Sequence, residues 1–239
     1  MSLSNLHANE RKITSQNGED GVLEAIFRDI GTTNRYFVEF GVEDAVECNT
    51  ANLIEQGWTG LLMDFSGISK NPKAEVKKEF ITAENIRQLF EKYRVPHQFD
   101  LLSIDIDGND FWVWQQIEHR PRVVVIEYNA HVPPNLCRVV PYDPAFQWVG
   151  TDYFGASVLA LKELGLRKGY TLVHCEQTGT NAFFIATEDL PRDYQPRAVE
   201  EIYRPPNYLN KGLRWPHDPD RHMIDPFALS GIYFQIDAG

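Results

Sequence analysis

At 239 residues, 43% hydrophobic and a formal net charge of −11, the chain is long enough to bury a full core. It is too acidic to present a nucleic-acid or anionic-membrane surface, both of which need clustered Lys and Arg. No apolar run approaches the roughly 20 residues of a membrane-spanning helix, and no basic-then-apolar leader pattern opens the sequence.

The elements follow in chain order. In "GEDGVLEAIFRDIG", Val22, Leu23, Ile26, Phe27 and Ile30 recur at helical spacing, with acids in the first turn and Gly31 as terminator. "RYFVEFG" is a short β-rich run, "CNTANLIEQGW" reads as helix, and "TGLLMDF" is a second buried strand ending in an acid. "KEFITAENIRQLFEKY" predicts a third strand and a helix, "FDLLSIDID" a fourth strand, and "DFWVWQQI" a helix. "PRVVVIEYN" is a near-continuous apolar strand of the kind covered on both faces by helices. "DYFGASVLALKELGLRKG" carries an amphipathic helix for which Thr151 and Asp152 are the expected caps, and "YTLVHCEQ" with "NAFFIATE" forms a closing pair around "TGT". This alternation predicts an α/β fold with a mostly parallel sheet.

Composition shifts near Leu190, which divides the chain into residues 1–189 and a Pro- and aromatic-rich extension, 190–239. So much proline prevents regular structure while the aromatics need burial, so the extension is expected to wrap the domain or cover a ligand cleft. "SGIYFQI" would add an edge strand or a dimer contact. Cys48, Cys137 and Cys175 lack C-x-x-C spacing, so buried thiols in a reducing, cytoplasmic setting are expected.

Ligands of an open parallel sheet sit at the carboxyl ends of its strands, where strand order reverses. Those ends carry Glu39 and Gly41, then Asp64, then Thr82, Glu84 and Asn85, then Asp105 and Asp107, and last Glu127, Asn129 and His131. Asp64 is where nucleoside-binding sheets hold ribose hydroxyls, although an ordinary loop acid reads the same way. Neither G-x-G-x-x-G nor G-x-x-x-x-G-K-[ST] occurs, so a pyrophosphate cradle is not supported.

Taken in order, "SQNGEDGVLEAIF", "YFVEFGVEDAVECNT", "GWTGLLMDF", "ITAENI", "LLSIDIDGNDFWVW" and "VVVIEYN" resemble the FkbM-like branch of S-adenosylmethionine-dependent class I methyltransferases, from about Ser15 to Thr187. That resemblance implies a Rossmann-like, seven-stranded sheet with helices on both faces and the closing hairpin inserted antiparallel. It puts Glu39 and Gly41 beside the methionine part of the cofactor, Asp64 on the ribose, and Thr82, Glu84 and Asn85 around the adenine. Asp105 would face the amino-acid end or the reacting centre, with Ser15 and Gln16 closing over the cofactor. The family's first loop commonly carries a second glycine where this chain has Ala45.

Asp105, Asp107, Glu127 and Asn129 form a hard-oxygen set suited to Mg²⁺ or Mn²⁺. Their rival reading is a turn in which Asn109 or Asp110 caps the next helix. A cation there would lower the pKa of an acceptor hydroxyl; without one, Asp107 or His131 is the candidate base. His174 reads as a core or surface histidine, and His217 and His222 as tail residues within reach of substrate only if the tail is a lid.

The sequence therefore points to a methyltransferase acting on a small-molecule or glycan acceptor, most simply at oxygen. N- or S-methylation, a non-catalytic nucleoside-binding scaffold and a metal-dependent hydrolase are the alternatives. A homo-oligomer is an open expectation, and no nucleic-acid or membrane partner is expected.

Overall fold

In the computed structural model, which describes residues 2–209 and 211–228, the strands are β1 (Tyr36–Phe40), β2 (Thr59–Asp64), β3 (Val76–Lys78), β4 (Gln98–Ile104), β5 (Arg120–Glu127), β6 (Tyr170–Cys175) and β7 (Asn181–Ala186). The helices are α1 (Glu19–Ile30), α2 (Ala51–Glu55), α3 (Ile86–Lys92), α4 (Asp110–Gln116), α5 (Val158–Arg167) and α6 (Val199–Ile202). The strands form one sheet in the order β3-β2-β1-β4-β5-β7-β6. All neighbours are parallel except β7, which runs antiparallel to both β5 and β6. This is the seven-stranded, mostly parallel α/β sheet expected from the sequence, with the closing hairpin antiparallel.

Strand periodicity explains the two layers. Alternate residues of one strand point to opposite faces, so Val38, Leu102, Val124 and Phe184 meet α3, α4 and α5, while Phe37, Leu101, Val123 and Phe183 meet α1 and α2. Val123 to Ile126 of β5 are all fully buried, as a central strand covered on both faces requires. At the amino ends of the strands, buried Asp100 accepts from Thr33 N, Arg35 N and the Arg122 guanidinium. Both Asp100 oxygens are therefore partnered.

Three local expectations change. The third strand ends at Lys78, so "FIT" lies beyond it. Helix α5 starts later than expected and is capped by Ser157, whose side chain accepts from Ala160 N; Asp152 instead accepts from His217 Nδ1 and Asp218 N and ties down the tail. His174 is a core histidine, 2% exposed, with Nε2 2.9 Å from Glu10 Oε1. Among the described residues no helix is long and apolar enough to cross a membrane. The "SGIYFQI" segment lies outside the described residues. Cys48 and Cys175 are buried and Cys137 is half-buried, all three as free thiols.

Candidate active site

The order of the sheet reverses between β1 and β4, so the chain leaves these adjacent strands in opposite directions and opens a crevice at their carboxyl ends. A cavity of about 550 Å³ lies there. Gly41 makes it: its φ is +74°, and a Cβ would stand 1.5 Å from the carbonyl oxygen of Asp105. No larger residue allows the two strand ends to come so close.

Gln16, Glu39, Gly41, Asp64, Asp105, Asp107 and Glu127 all line this one cavity. Each arrives by a local device. The Asp20 carboxylate accepts from the backbone N–H groups of Ile13, Thr14 and Ser15 and from Ser15 Oγ, which curls the loop and delivers Gln16. Ser15 itself is buried and shapes this loop. Glu39, 4% exposed, accepts from Asn49 N, Thr50 N, Thr50 Oγ1 and Ser103 Oγ, so its carboxylate chiefly fixes the loop after Gly41. Burial raises the Glu39 pKa and these donors oppose the shift. Asp64 accepts from Glu43 N at 3.2 Å and Ser66 N at 2.8 Å, which holds the end of β2 against the loop. In that loop Ala45 takes a left-handed φ of +61°, at the position where a glycine would be unstrained.

Carboxylate oxygens of Asp105, Asp107 and Glu127 lie within 4.8 Å of one another. Asp105 and Glu127 are brought side by side by parallel pairing of β4 with β5, while Asp107 swings in from a turn with φ +59°. The strand has already ended at Ile104, so this turn, and no strand alternation, groups Asp105 with Asp107. Burial, then Asp107, pushes the Asp105 pKa well above the ordinary carboxylate range. Burial, then Asp105, does the same to Glu127, and burial followed by Glu43 raises Asp107. Glu127 Oε2 is buried without a hydrogen-bond partner, unlike Asp100 at the other end of the sheet. Asn109 occupies the N-cap position of α4, and Asp110, pushed up to about 6 chiefly by burial, accepts from Ile106 N and Gly108 N. The turn reading therefore holds for Asp110, whereas Asn109 makes no side-chain cap bond to the helix. The three other acids have no cationic partner among the described residues.

Other expected site residues lie outside the cavity. Thr82 and Asn85 bond each other reciprocally at the start of α3, and Glu84 accepts from the Tyr142 hydroxyl. Because the strand ends early, Glu79, Phe80 and Ile81 reach the cavity in their place. Asn129 spends its amide on the backbone: Nδ2 donates to Asp152 O and Phe154 O, and Oδ1 accepts from His131 N. It is no ligand to the acid cluster here. His131 Nε2 accepts from Trp215 N at 3.0 Å, so the ring holds the tail and does not face the acids. His217 bonds Asp152 and, like His222, is not in the wall.

Besides polar wall residues such as Glu79 and Asn181, the sequence reading missed a set of aromatics. Phe65 (72% exposed) and Phe80 flank the Asp64 side, and Phe146, Trp148, Phe154, Tyr208 and Trp215 flank the acid cluster. Only Phe65 carried a usable signal, as an apolar residue directly after a strand-ending acid. Tyr208, Leu209 and Trp215 come from the extension, which thus walls one side of the cavity.

No protein-family model matches this chain, and no curated protein matches it. Among solved structures, the crystal structure of the N-terminal domain of EvdMO1 with SAH bound is similar over 70% of this chain and 79% of that one, with 12% identity and a TM-score of 0.41. A likeness at that level does not transfer chemistry.

Proposed function

We propose that this protein is an FkbM-like, S-adenosylmethionine-dependent methyltransferase that methylates a hydroxyl of a small polar acceptor, either a small molecule or a glycan. The observation that carries this reading is the meeting of Gly41, Asp64 and the Asp105–Asp107–Glu127 cluster around one cavity at the switch point of this sheet. Asp64 would accept from the ribose hydroxyls, Phe65 and Phe80 would flank the adenine, and the strand-to-strand contact at Gly41 leaves room for the methionine portion.

When bound, the sulfonium cofactor supplies an activated methyl. The chain's work is to position the acceptor and take its proton. The transfer would leave the cofactor as its neutral thioether, so the chain has one acceptor proton to remove. The hydroxyl proton passes to Asp107, the outermost acid, whose raised pKa suits it to receive one. The grouping of Asp105, Asp107 and Glu127, with Glu127 Oε2 orphaned, also fits a hard divalent cation such as Mg²⁺ or Mn²⁺. Such an ion would lower the acceptor hydroxyl's pKa. Residues 1–189 would hold the cofactor, and the extension from 190 would close the acceptor side.

Calorimetric titration with S-adenosylmethionine and S-adenosylhomocysteine, with and without Mg²⁺ or Mn²⁺, tests this directly. Binding of both nucleosides is expected, and absence of binding by either one removes the proposal. Nucleoside binding that no metal alters removes the cation alone.

A further inference from the structure

Three buried atoms in the cavity wall are hydrogen-bond acceptors with nothing to accept: Asn109 Oδ1, Asn181 Oδ1 and Glu127 Oε2. Asn109 and Asn181 are 6% and 3% exposed. Their amide orientations are set by their other ends, since Asn109 Nδ2 donates to Asp143 O and Asn181 Nδ2 to Glu19 Oε1. Asn181 stands directly opposite Glu127 in the β5–β7 register, so two of the three acceptors share one end of the cavity. The Tyr208 hydroxyl, in a residue 8% exposed, is likewise buried and unpartnered. Buried acceptors left unsatisfied are costly, so a ligand that fits here brings donors.

Charge points the same way. Among the described residues the cavity is lined by eight carboxylates and by no lysine, arginine or histidine. Glu47 and Glu79 already pair with Lys12 and Lys92, so a carboxylate or phosphate on the acceptor would meet only carboxylates or protonated acids and no free cationic partner in the wall. The wall beside the acids is an aromatic box: Trp148 and Trp215 have ring centroids 4.9 Å apart at 70°, and Tyr208 stacks on Trp215 at 5.5 Å and 25°. Gly108 lets the Phe146 ring lie against the Asp107–Asn109 turn, where a Cβ would stand 2.2 Å from it. Aromatic faces beside carboxylates favour a cation and also stack on sugar C–H groups.

Building on the methyltransferase reading above, we infer that the acceptor is a cationic, hydroxyl-rich amine of the amino-sugar class, and that the cavity rejects anionic acceptors. The ammonium and hydroxyl donors would satisfy Asn109, Asn181 and Glu127, with Tyr208 and Trp215 against the ring.

A matched series tests this: methyl 6-amino-6-deoxyglucopyranoside, methyl glucopyranoside and methyl glucopyranosiduronate, which differ at C6 alone and carry positive, no and negative charge there. Each is titrated at pH 7, in metal-free buffer, into the full chain saturated with S-adenosylhomocysteine, and tryptophan fluorescence is read. The amine is expected to bind at least about tenfold more tightly than the uronate, with the neutral sugar between them. In Tyr208→Phe, affinity for the amine falls while affinity for S-adenosylhomocysteine holds. Equal affinities across the series, tighter binding of the uronate, or no binding of the amine at any attainable concentration would overturn the inference. Failure of S-adenosylhomocysteine to bind in the first titration instead sinks the methyl-transfer reading, and the series on the free protein still decides charge selection.

Discussion

The backbone N–H of Trp215 donates to Nε2 of His131 at 3.0 Å, joining the extension to the turn after β5. Because Nε2 is the acceptor, the neutral ring carries its proton on Nδ1, which is buried without a partner. Burial lowers the His131 pKa, so the ring stays neutral at pH 7. A positioning role follows. In His131→Ala the acceptor KM should rise several-fold while kcat changes little, and hydrogen exchange across residues 208–215 should accelerate. His131→Gln, whose amide oxygen still accepts, should recover part of the loss. Loss of a general base would instead reduce kcat by roughly 10²–10⁴-fold with KM unchanged, and that result would return His131 to the chemistry.

Gly41 is the strictest backbone position in the site. Its φ of +74° is strained for any L-residue, and the Asp105 carbonyl leaves no space for a methyl. Gly41→Ala is expected to cost about 4 kcal/mol or more, since strand ends must separate to relieve the clash. Urea denaturation measures this directly, and a loss under about 1 kcal/mol would show that β1 and β4 part easily.

Regular elements were legible wherever one physical signal dominated. Periodicity alone located α1, and the unbroken apolar run of β5 announced a central strand. The strand-ending acids Asp64, Asp105 and Glu127 were legible because successive buried strands deliver them to the sheet edge where ligands bind, although Asp64 also holds two loop N–H groups. Legibility failed where tertiary contacts decide. Whether "FIT" extends β3, or Asn129 points at the acids or at a carbonyl, depends on partners distant in sequence. The aromatic wall was invisible because Tyr208 and Trp215 reach the cavity through a Pro-rich segment without period, tied down by Asp152 and His131.

Asp64 and Asp107 line the same cavity at different ends of the proposed reaction. Asp64 closes β2 beside Phe65, whereas Asp107 lies in the acid cluster. Asp64→Ala should weaken S-adenosylhomocysteine about 10–100-fold, the loss expected for charge-assisted hydrogen bonds of roughly 1.5–3 kcal/mol. Asp107→Ala should leave that affinity within about threefold and lower kcat. Calorimetry and single-turnover rates separate the two; equal loss of nucleoside affinity in both variants contradicts the division.

The unpaired acids also make a prediction about stability, whose sign follows from proton binding. Burial and neighbouring acids raise Glu127 and Asp105 above the values they would have in an unfolded chain. The folded state therefore holds protons that the unfolded state has released. Stability contributed by these groups is present at low pH and declines as pH rises from the ordinary carboxylate range through the raised values. Glu127→Gln removes one ionisation without changing shape, so its stability advantage over the native chain should grow as pH rises above the ordinary carboxylate range. Buried histidines such as His174 titrate equally in both proteins and cancel in that difference. A divalent cation competes for the same oxygens as the protons. Mn²⁺ should therefore stabilise the native chain more at pH 8 than at pH 6, stabilise Glu127→Gln far less, and lose its effect on chelation. Thermal melts of the two proteins across this range decide the matter: a pH-independent difference, or equal stabilisation of both by Mn²⁺, would mean that Glu127 neither stores charge in the folded state nor holds a metal.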